Sequence, residues 1–179
     1  MDEPPFRKIE RHTRKSASAL LQLRRILAPI DFLDSTVATL QYAAAFAREY
    51  KATITLLHIV ELDGSHTRRN ISRERWIEEQ SQIGETQIRQ LVDVIWGDEI
   101  TTDIVVAGGK PHVQIVNEAK ETNADMIIMA GHGAVGPWGF FRHSTTVKVV
   151  RHAPCPVLVV PAFERGFVVE ASVGKYSGR

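Results

Sequence analysis

The sequence predicts a doubly wound α/β fold, in which a parallel sheet carries helices on both faces. Short, continuous apolar runs rich in β-branched residues alternate with segments of helical apolar spacing along the chain. Such alternation is typical of parallel strands joined by right-handed helical crossovers. A length of 179 residues, with 44% hydrophobic and 24% charged residues, suits one globular domain with tails.

The predicted elements follow in order. Strands are expected at 26–30, 52–62, 101–107, 125–130 and 157–160, the last stopped by Pro161. Helices are expected at 36–50, 70–96, 113–123 and 144–152. Asp34 and Ser35 offer caps for the first helix, and Pro111 suits the first turn of the third.

Two of these helices have a readable apolar face. The stripe in the first helix is Val37, Leu40, Ala44 and Ala47. In the second helix, Gly84 is a weak point, and the residues that can share one face are Trp76, Ile77, Ile83, Ile88, Leu91 and Ile95. We expect both faces to pack on the sheet.

Composition sets the domain organisation and the expected compartment. Residues 1–22 form a polar, basic extension, 23–161 the domain, and 162–179 a tail. The extension is either a solvated arm or a partner-binding one. A net charge of +1 does not favour nucleic acid or membrane, and no apolar run has the length of a membrane span. One cysteine and no secretory signal indicate a cytoplasmic protein.

Residues 130–136, AGHGAVG, match the spacing of a dinucleotide-binding turn, but the context does not. The stretch follows the fourth strand rather than the first, and Pro137-Trp138-Gly139 makes a poor helix start. We therefore reject NAD. A glycine-rich loop that leads to Ser144 at a helix N-terminus is instead suited to phosphate. If the first and fourth strands are neighbours, Asp31 faces this loop across a crevice.

At this point the sequence resembles the universal stress protein family over most of residues 24–161. The matching stretches are RRILAPIDFLDST, LLHIV, GKPHVQIVNEAKETNADMIIMAGHG and, most specifically, HSTTVKVVRHAPCPVLVV. The resemblance implies a single Rossmann-like domain with a five-stranded parallel sheet in the order 3-2-1-4-5. It also implies dimerisation through the last strand. One branch of the family binds ATP as a regulatory signal, and another binds no nucleotide.

The ATP-binding branch carries a G-x-x-G-x9-G-[S/T] loop, and this chain keeps the spacing with two replacements. The four positions are Ala130, Gly133, His143 and Ser144. Ala130 is a mild change, whereas His143 is the serious one, because a histidine at φ > 0 would be strained. Its ring either blocks the triphosphate or, when protonated, binds it.

By resemblance, the nucleotide would be ATP with Mg²⁺. The residues implied around it are Pro29, Ile30, Asp31, Ile59, Met129, Ala130, Gly131, Gly133, His143, Ser144 and Thr145. The residue types agree in kind, since Asp31 can accept hydrogen bonds from ribose or the adenine amino group and Ser144 can donate to phosphate. The plainer interpretations are a turn residue for Asp31 and a helix cap for Ser144.

Other groups do not form a recognisable catalytic set. The seven histidines lack metal-ligand spacing, and His58 is expected to be a satisfied interior residue. Cys155 is expected to be an inert thiol. With no Walker A and no evident hydrolytic base, we expect no dedicated catalysis, and at most slow ATP hydrolysis.

The last strand predicts an interface. An exposed edge made of Val157, Leu158, Val159 and Val160 would be sticky. The same strand of a second copy would cover it in a two-fold dimer. The alternative is that 167–169 in the tail covers it internally.

Overall fold

Strands and helices alternate throughout the computed structural model, which describes residues 21–33, 35–61, 72–131 and 144–161. The strands are β1 (Arg25–Ile30), β2 (Thr53–Val60), β3 (Thr102–Gly108), β4 (Met126–Gly131) and β5 (Val157–Pro161). The helices are α1 (Ser35–Tyr50), α2 (Arg73–Ile95), α3 (Pro111–Glu121) and α4 (Thr145–His152), with a 3₁₀ turn at Gly97–Glu99. None of the helices within the described ranges has the length and apolarity needed to cross a membrane.

All five strands are parallel and lie in the order β3-β2-β1-β4-β5, which confirms the predicted fold class and strand order. Because the strands are parallel, their carboxyl ends share one edge of the sheet, which we call the carboxyl edge. The chain enters the central strand β1 at the opposite edge. It leaves β5 at the carboxyl edge, after Pro161.

The strands bury side chains on both faces, as their continuous apolar runs predict. On one face, Ile26 and Leu56 pack with Leu40 of α1 and Ile88 of α2. On the other face, the core contains residues of β1, β2, β4, α3 and α4: Leu27, Leu57, Ile127, Ile115 and Val149. The sheet is therefore the middle of three layers.

Two residues of the expected apolar faces turn out to be exposed. Val37 of α1 is 45% exposed and Ile83 of α2 is 51% exposed, whereas Leu40 and Ile88 are fully buried. Gly84, the expected weak point of α2, is buried within the helix. A Cβ atom at Gly84 would lie 3.0 Å from Cδ2 of His58, so the missing side chain lets α2 approach β2 closely.

Candidate functional site

The carboxyl edge brings together the ends of β1, β2 and β4, where most of the predicted nucleotide residues lie. Strand order reverses between β1 and β4, because β1 connects outward to β2 while β4 follows from the far strand β3. In doubly wound sheets such a reversal opens a crevice at the carboxyl ends of the strands. Pro29, Ile30 and Asp31 lie on one side of it, and Met129, Ala130 and Gly131 on the other.

Pro29 ends the pairing of β1 with β4. The backbone of Arg25 faces β4, since its carbonyl accepts from the Asp125 N–H at 2.8 Å, and alternation directs Leu27 and Pro29 the same way. Pairing stops at Leu27 with Ile127, because proline has no N–H to continue the ladder. By contrast, β1 pairs with β2 through Ile30. Backbone groups at the adjoining ends of β1 and β4 are thus left outside the ladder.

Asp31 forms the turn that follows β1. Its Oδ1 accepts hydrogen bonds from the Leu33 N–H and from Thr36 Oγ1, both at 3.1 Å. Phe32, between Asp31 and Leu33, adopts a φ of 60°, a left-handed conformation. These two hydrogen bonds are the ones expected if Asp31 is a turn residue. The same bonds fix this exposed carboxylate at the mouth of the crevice.

The alternation of each strand sorts the predicted residues by face. Ile59 and Met129 belong to the core beneath α3 and α4, together with Leu27. Pro29, two residues after Leu27, has the same parity. Ile30 belongs to the opposite core, beneath α1 and α2. An apolar pocket for a base on the α3–α4 side would therefore use Pro29, Ile59 and Met129, with Ile30 behind the sheet.

The beginning of α4 lies beside the end of β4. Thr146 Oγ1 donates to the Ala130 carbonyl oxygen at 3.4 Å. Ser144 is at the N-cap position in extended conformation, but its side chain makes no capping hydrogen bond, and Thr145 is the first helical residue. Ser144 therefore occupies the predicted cap position but does not make the predicted capping hydrogen bond. Gly133 and His143 lie outside the described residues.

Gly131 is constrained by packing against the neighbouring strand. A Cβ atom on Gly131 would lie 2.7 Å from Cγ1 of Val159 on β5. The absence of a side chain thus lets β4 and β5 pair at this position, in addition to any approach of backbone to phosphate. A glycine in a strand is a sequence signal for such close packing.

His58 is a structural link that the sequence indicated only in general terms. Its Nδ1 lies 3.2 Å from the Ile30 carbonyl oxygen, and its ring centroid lies 4.7 Å from that of Phe32. Since a carbonyl only accepts, Nδ1 is the protonated nitrogen. The half-buried histidine is satisfied, and it ties β2, the β1 turn and α2 together. A glycine at position 84, inside a helix with a long apolar pattern, is the sequence signal for a close neighbour of this kind.

A group of basic side chains, which we call the α3–α4 basic cluster, consists of Lys110, His112, Lys148 and His152. The pKa of His112 is lowered first by partial burial, and then by the charges of Lys148, Lys110 and His152. These residues come from the turn before α3, from α3 and from α4. In the sequence alone the histidines look scattered, because His112 and His152 are 40 residues apart along the chain and only the packing of the two helices brings them to the same region.

Cys155 and the potential metal ligands show no reactive arrangement in the described part of the chain. The free thiol is half-buried, and its pKa is raised by burial and by Asp125, while a backbone hydrogen bond with Ile127 lowers it. A raised pKa leaves little thiolate, in line with an inert group. Among the residues that the structure describes, no three His, Cys, Asp or Glu side chains gather in a way that could hold a metal ion.

The last strand has an open side within the described part of the chain. Its residues pair with β4 alone there, from Val157 to Pro161. The Ile127 N–H donates to the Pro156 carbonyl at 2.9 Å, so the backbones of Val157 and Val159 point away from β4. Val159 is 36% exposed, whereas Val160 is 1% exposed. This outward row of backbone groups suits the addition of another strand.

Three layers and a parallel sheet whose strand order reverses between β1 and β4 define an α/β protein of Rossmann-like architecture. The chain belongs to the universal stress protein family, whose sequence model matches residues 22–161. Universal stress protein MJ0531 of Methanocaldococcus jannaschii is 27% identical over 143 residues, covering 76% of this chain and 81% of the relative. Universal stress protein MJ0577 of the same organism is 28% identical over 156 residues, covering 76% and 94%.

Solved structures show the same fold. The structure of MJ0577 matches with a TM-score of 0.67 at 22% identity, covering 81% of this chain and 100% of that one. A universal stress protein in complex with cAMP matches at 0.58 and 17% identity, covering 80% and 100%. One from Archaeoglobus fulgidus in complex with dAMP matches at 0.53 and 19% identity, covering 78% and 98%.

Proposed function

We propose that this protein binds an adenine nucleotide, ATP with Mg²⁺, as a regulatory ligand at the carboxyl edge. The observation that carries the proposal is the end of β1–β4 pairing at Pro29. It leaves backbone groups outside the ladder at the point where strand order reverses, with a fixed carboxylate on one side and the start of α4 on the other. This combination fits a ligand with a base, hydroxyls and phosphates.

Each part of the nucleotide has a matching set of groups. Ile59 and Met129, with Pro29, supply an apolar surface for the base, and Asp31 supplies acceptors for the adenine amino group or ribose. The phosphates would meet Ala130, Gly131, Gly133, His143, Ser144 and Thr145. The Ser144 hydroxyl supports this role because it is not used as a helix cap.

The ligands of two structural relatives support an adenine nucleotide. One relative was solved with cAMP and the other with dAMP. Both compounds carry adenine, a sugar and a single phosphate. These shared features favour a site that binds adenine and at least one phosphate. The number of phosphates that this chain binds depends on its own residues.

We further propose that the nucleotide acts by binding rather than by turnover. Phosphate contacts with the loop 131–143 would change a surface that a protein partner recognises in the cytoplasm. Slow ATP hydrolysis is the most catalysis we expect, because the described residues offer no evident base beside the phosphate end. Time-resolved measurement of ATP turnover would test this point.

A second candidate function is a nucleotide-free interaction module that dimerises through β5, with His143 closing the site. The open side of β5 and the exposed Val159 favour an interface there. A two-fold pair of β5 strands would continue the sheet across two copies. This dimer is compatible with either function.

The test is to identify nucleotide released from denatured, freshly purified protein, and then to titrate ATP by calorimetry. Tight ATP binding by the unaltered chain, with His143→Gly similar or weaker, is the expected result. Absence of binding in the unaltered chain, with binding gained by His143→Gly, would overturn the proposal in favour of the interaction module. Thr86→Ala, on the exposed part of α2, serves as the control variant.

A further inference from the structure

The α3–α4 basic cluster lies on the side of the molecule to which the proposed phosphate site belongs. Helices α3 and α4 pack together on one face of the sheet. Both begin at the carboxyl edge, since each follows the end of a strand there. Lys110 immediately precedes α3 and His112 is in its first turn, while Lys148 is one turn into α4.

Helical spacing places Lys148 and His152 on the same stripe of α4 as Ser144. The Lys148 N–H donates to the Ser144 carbonyl at 3.2 Å, and His152 Nδ1 lies 2.8 Å from the Lys148 carbonyl oxygen. Successive contacts of this kind define a row four residues apart. Because Val149 is fully buried against the sheet, this row runs beside the core-facing side of α4, and α3 packs against α4 on the same face of the sheet.

The ends of the two helices that carry the cluster lack acidic residues, and the acids of α3, Glu118 and Glu121, lie in its last two turns. The sequence of α4, TTVKVVRH, has no acidic residue. The first turn of α3 has none either. Besides burial, Lys148, Lys110 and His152 all lower the pKa of His112, and the N-terminal ends of two helices add partial positive charge. An anion would relieve this repulsion.

We infer that the α3–α4 basic cluster binds the outer phosphates of a nucleoside triphosphate and thereby makes this chain prefer ATP over AMP. The inference rests on the proposed nucleotide site and deepens it. Ser144 and Thr145 suit the phosphate nearest the ribose. The outer phosphates would then lie along the row from Ser144 to Lys148, within reach of the α3–α4 basic cluster. AMP has no outer phosphate, so it gains nothing from the cluster.

The preference has a pH signature. His112 is biased toward its neutral form by burial and by the charges facing it, Lys110 from the preceding turn and Lys148 and His152 from α4. A triphosphate beside His112 favours the charged ring, so its pKa rises on binding. ATP affinity should therefore increase as pH falls from about 8 to about 6, and His112→Gln should lose most of that increase. In NMR spectra, ATP should shift the His112 titration to higher pH, and AMP should not.

The main experiment titrates ATP and AMP, at fixed Mg²⁺, into the full chain and into Lys148→Met. Methionine keeps the length and helix preference of the side chain and removes the charge. We expect ATP binding to weaken about tenfold and AMP binding to change less than about twofold, because the lysine acts on the outer phosphates alone. Lys120→Met, at the far end of α3, is the matched control and should change neither affinity.

The outcomes separate the two proposals. Equal affinities for ATP and AMP, or equal losses of both in Lys148→Met, would overturn the inference while leaving the nucleotide site in place. Absence of binding by either nucleotide in the unaltered chain would overturn the proposed function and the inference with it. Retention of ATP affinity by Lys148→Arg, with loss in Lys148→Met, would attribute the effect to charge rather than to packing.

Discussion

At the scale of single residues, the contact between His58 and Gly84 connects a helix to the candidate site. The ring is held on one side by the Ile30 carbonyl and on the other by the bare backbone of α2. Ile30 precedes Asp31, so the position of the ring bears on the turn that carries the carboxylate. A shift of α2 would thus reach the mouth of the crevice through one side chain.

We predict that Gly84→Ala changes the free energy of unfolding through two opposing effects, which a double-mutant cycle with His58→Ala separates. Alanine favours a helix by about 1 kcal/mol over glycine. In the unaltered background, however, its Cβ would meet Cδ2 of His58 at 3.0 Å and displace the ring. Gly84→Ala should therefore stabilise a His58→Ala background by about 1 kcal/mol and the unaltered protein by clearly less. Chemical denaturation of the four proteins measures both values.

Gly97→Ala is the control for this cycle. Gly97 has φ 55, and a Cβ there would have nothing within 4 Å. Its substitution should cost about 1 kcal/mol in both backgrounds, because the strain is local to the backbone. An equal effect of Gly84→Ala in the two backgrounds would show that His58 does not limit this position.

At the scale of elements, pairing at the ends of strands decides where a ligand or a partner can attach. Pro29 ends the ladder on the β4 side of β1, and β5 presents the outward backbones of Val157 and Val159. The first feature follows from a missing N–H at Pro29, and the second from N–H groups that point away from β4. Neither depends on a charged or catalytic side chain.

We predict that Pro29→Ala extends the pairing of β1 with β4. The new N–H at position 29 faces β4 and can donate to it, so it should exchange slowly with solvent. ATP affinity should fall, because the gained pairing uses backbone groups at the crevice. Hydrogen exchange followed by NMR measures the first effect and calorimetry the second.

Pro111→Ala is the matched control. Pro111 occupies the first turn of α3, where an N–H has no acceptor within the helix. The new amide at position 111 should exchange quickly, and ATP affinity should not change. Fast exchange at position 29 would show that the ends of β1 and β4 stay apart for a reason other than proline.

A further prediction concerns the dimer. Val159→Pro removes an N–H that points away from β4, so it spares the β4–β5 ladder and blocks addition of a second strand. The variant should be a folded monomer in sedimentation velocity, whereas Val159→Thr, which keeps the N–H, should match the unaltered protein. A dimeric Val159→Pro variant would rule out pairing through β5.

Much of the architecture could be predicted because it depends on local patterns. Alternating apolar runs and helical stripes located five strands and four helices, and the family resemblance supplied the strand order. The pattern misplaced Val37 and Ile83, since helical spacing alone does not tell which neighbours reach each position. The link between His58 and Gly84, the packing of Gly131 on Val159 and the α3–α4 basic cluster join residues far apart in sequence. Such contacts depend on tertiary packing, which spacing does not encode.

At the scale of the whole molecule, the two edges of the sheet have different roles. The carboxyl edge holds the candidate site. At the opposite edge, the Arg48 guanidinium binds Glu99 through two hydrogen bonds, Nε to Oε1 at 2.8 Å and Nη2 to Oε2 at 2.7 Å. This pair joins the end of α1 to the turn before β3, so it stabilises the frame without reaching the site.

We predict that the pair makes stability depend on pH in the acid range. The hydrogen bond from Arg48 lowers the pKa of Glu99 below 4.5 in the folded state. A depressed folded pKa contributes stability above the unfolded value, and the contribution is lost as pH falls through the folded value. Glu99→Gln should therefore melt at a lower temperature than the unaltered protein at about pH 7, and the gap should close at about pH 3.

Glu49→Gln is the control for thermal melting, because it removes an exposed carboxylate next to Arg48 in the sequence of α1. Its melting temperature should follow that of the unaltered protein at both pH values. A constant gap for Glu99→Gln across the acid range would show that the variant acts through packing and not through ionisation.

The parallel sheet also has a practical consequence for labelling. Because the chain enters β1 at one edge and leaves β5 at the other, a dye attached just before residue 21 starts far from the candidate site. A dye attached just after Pro161 starts beside it. A fluorescent reporter of ligand binding is therefore best placed directly after β5, and a label that should not sense the ligand directly before residue 21.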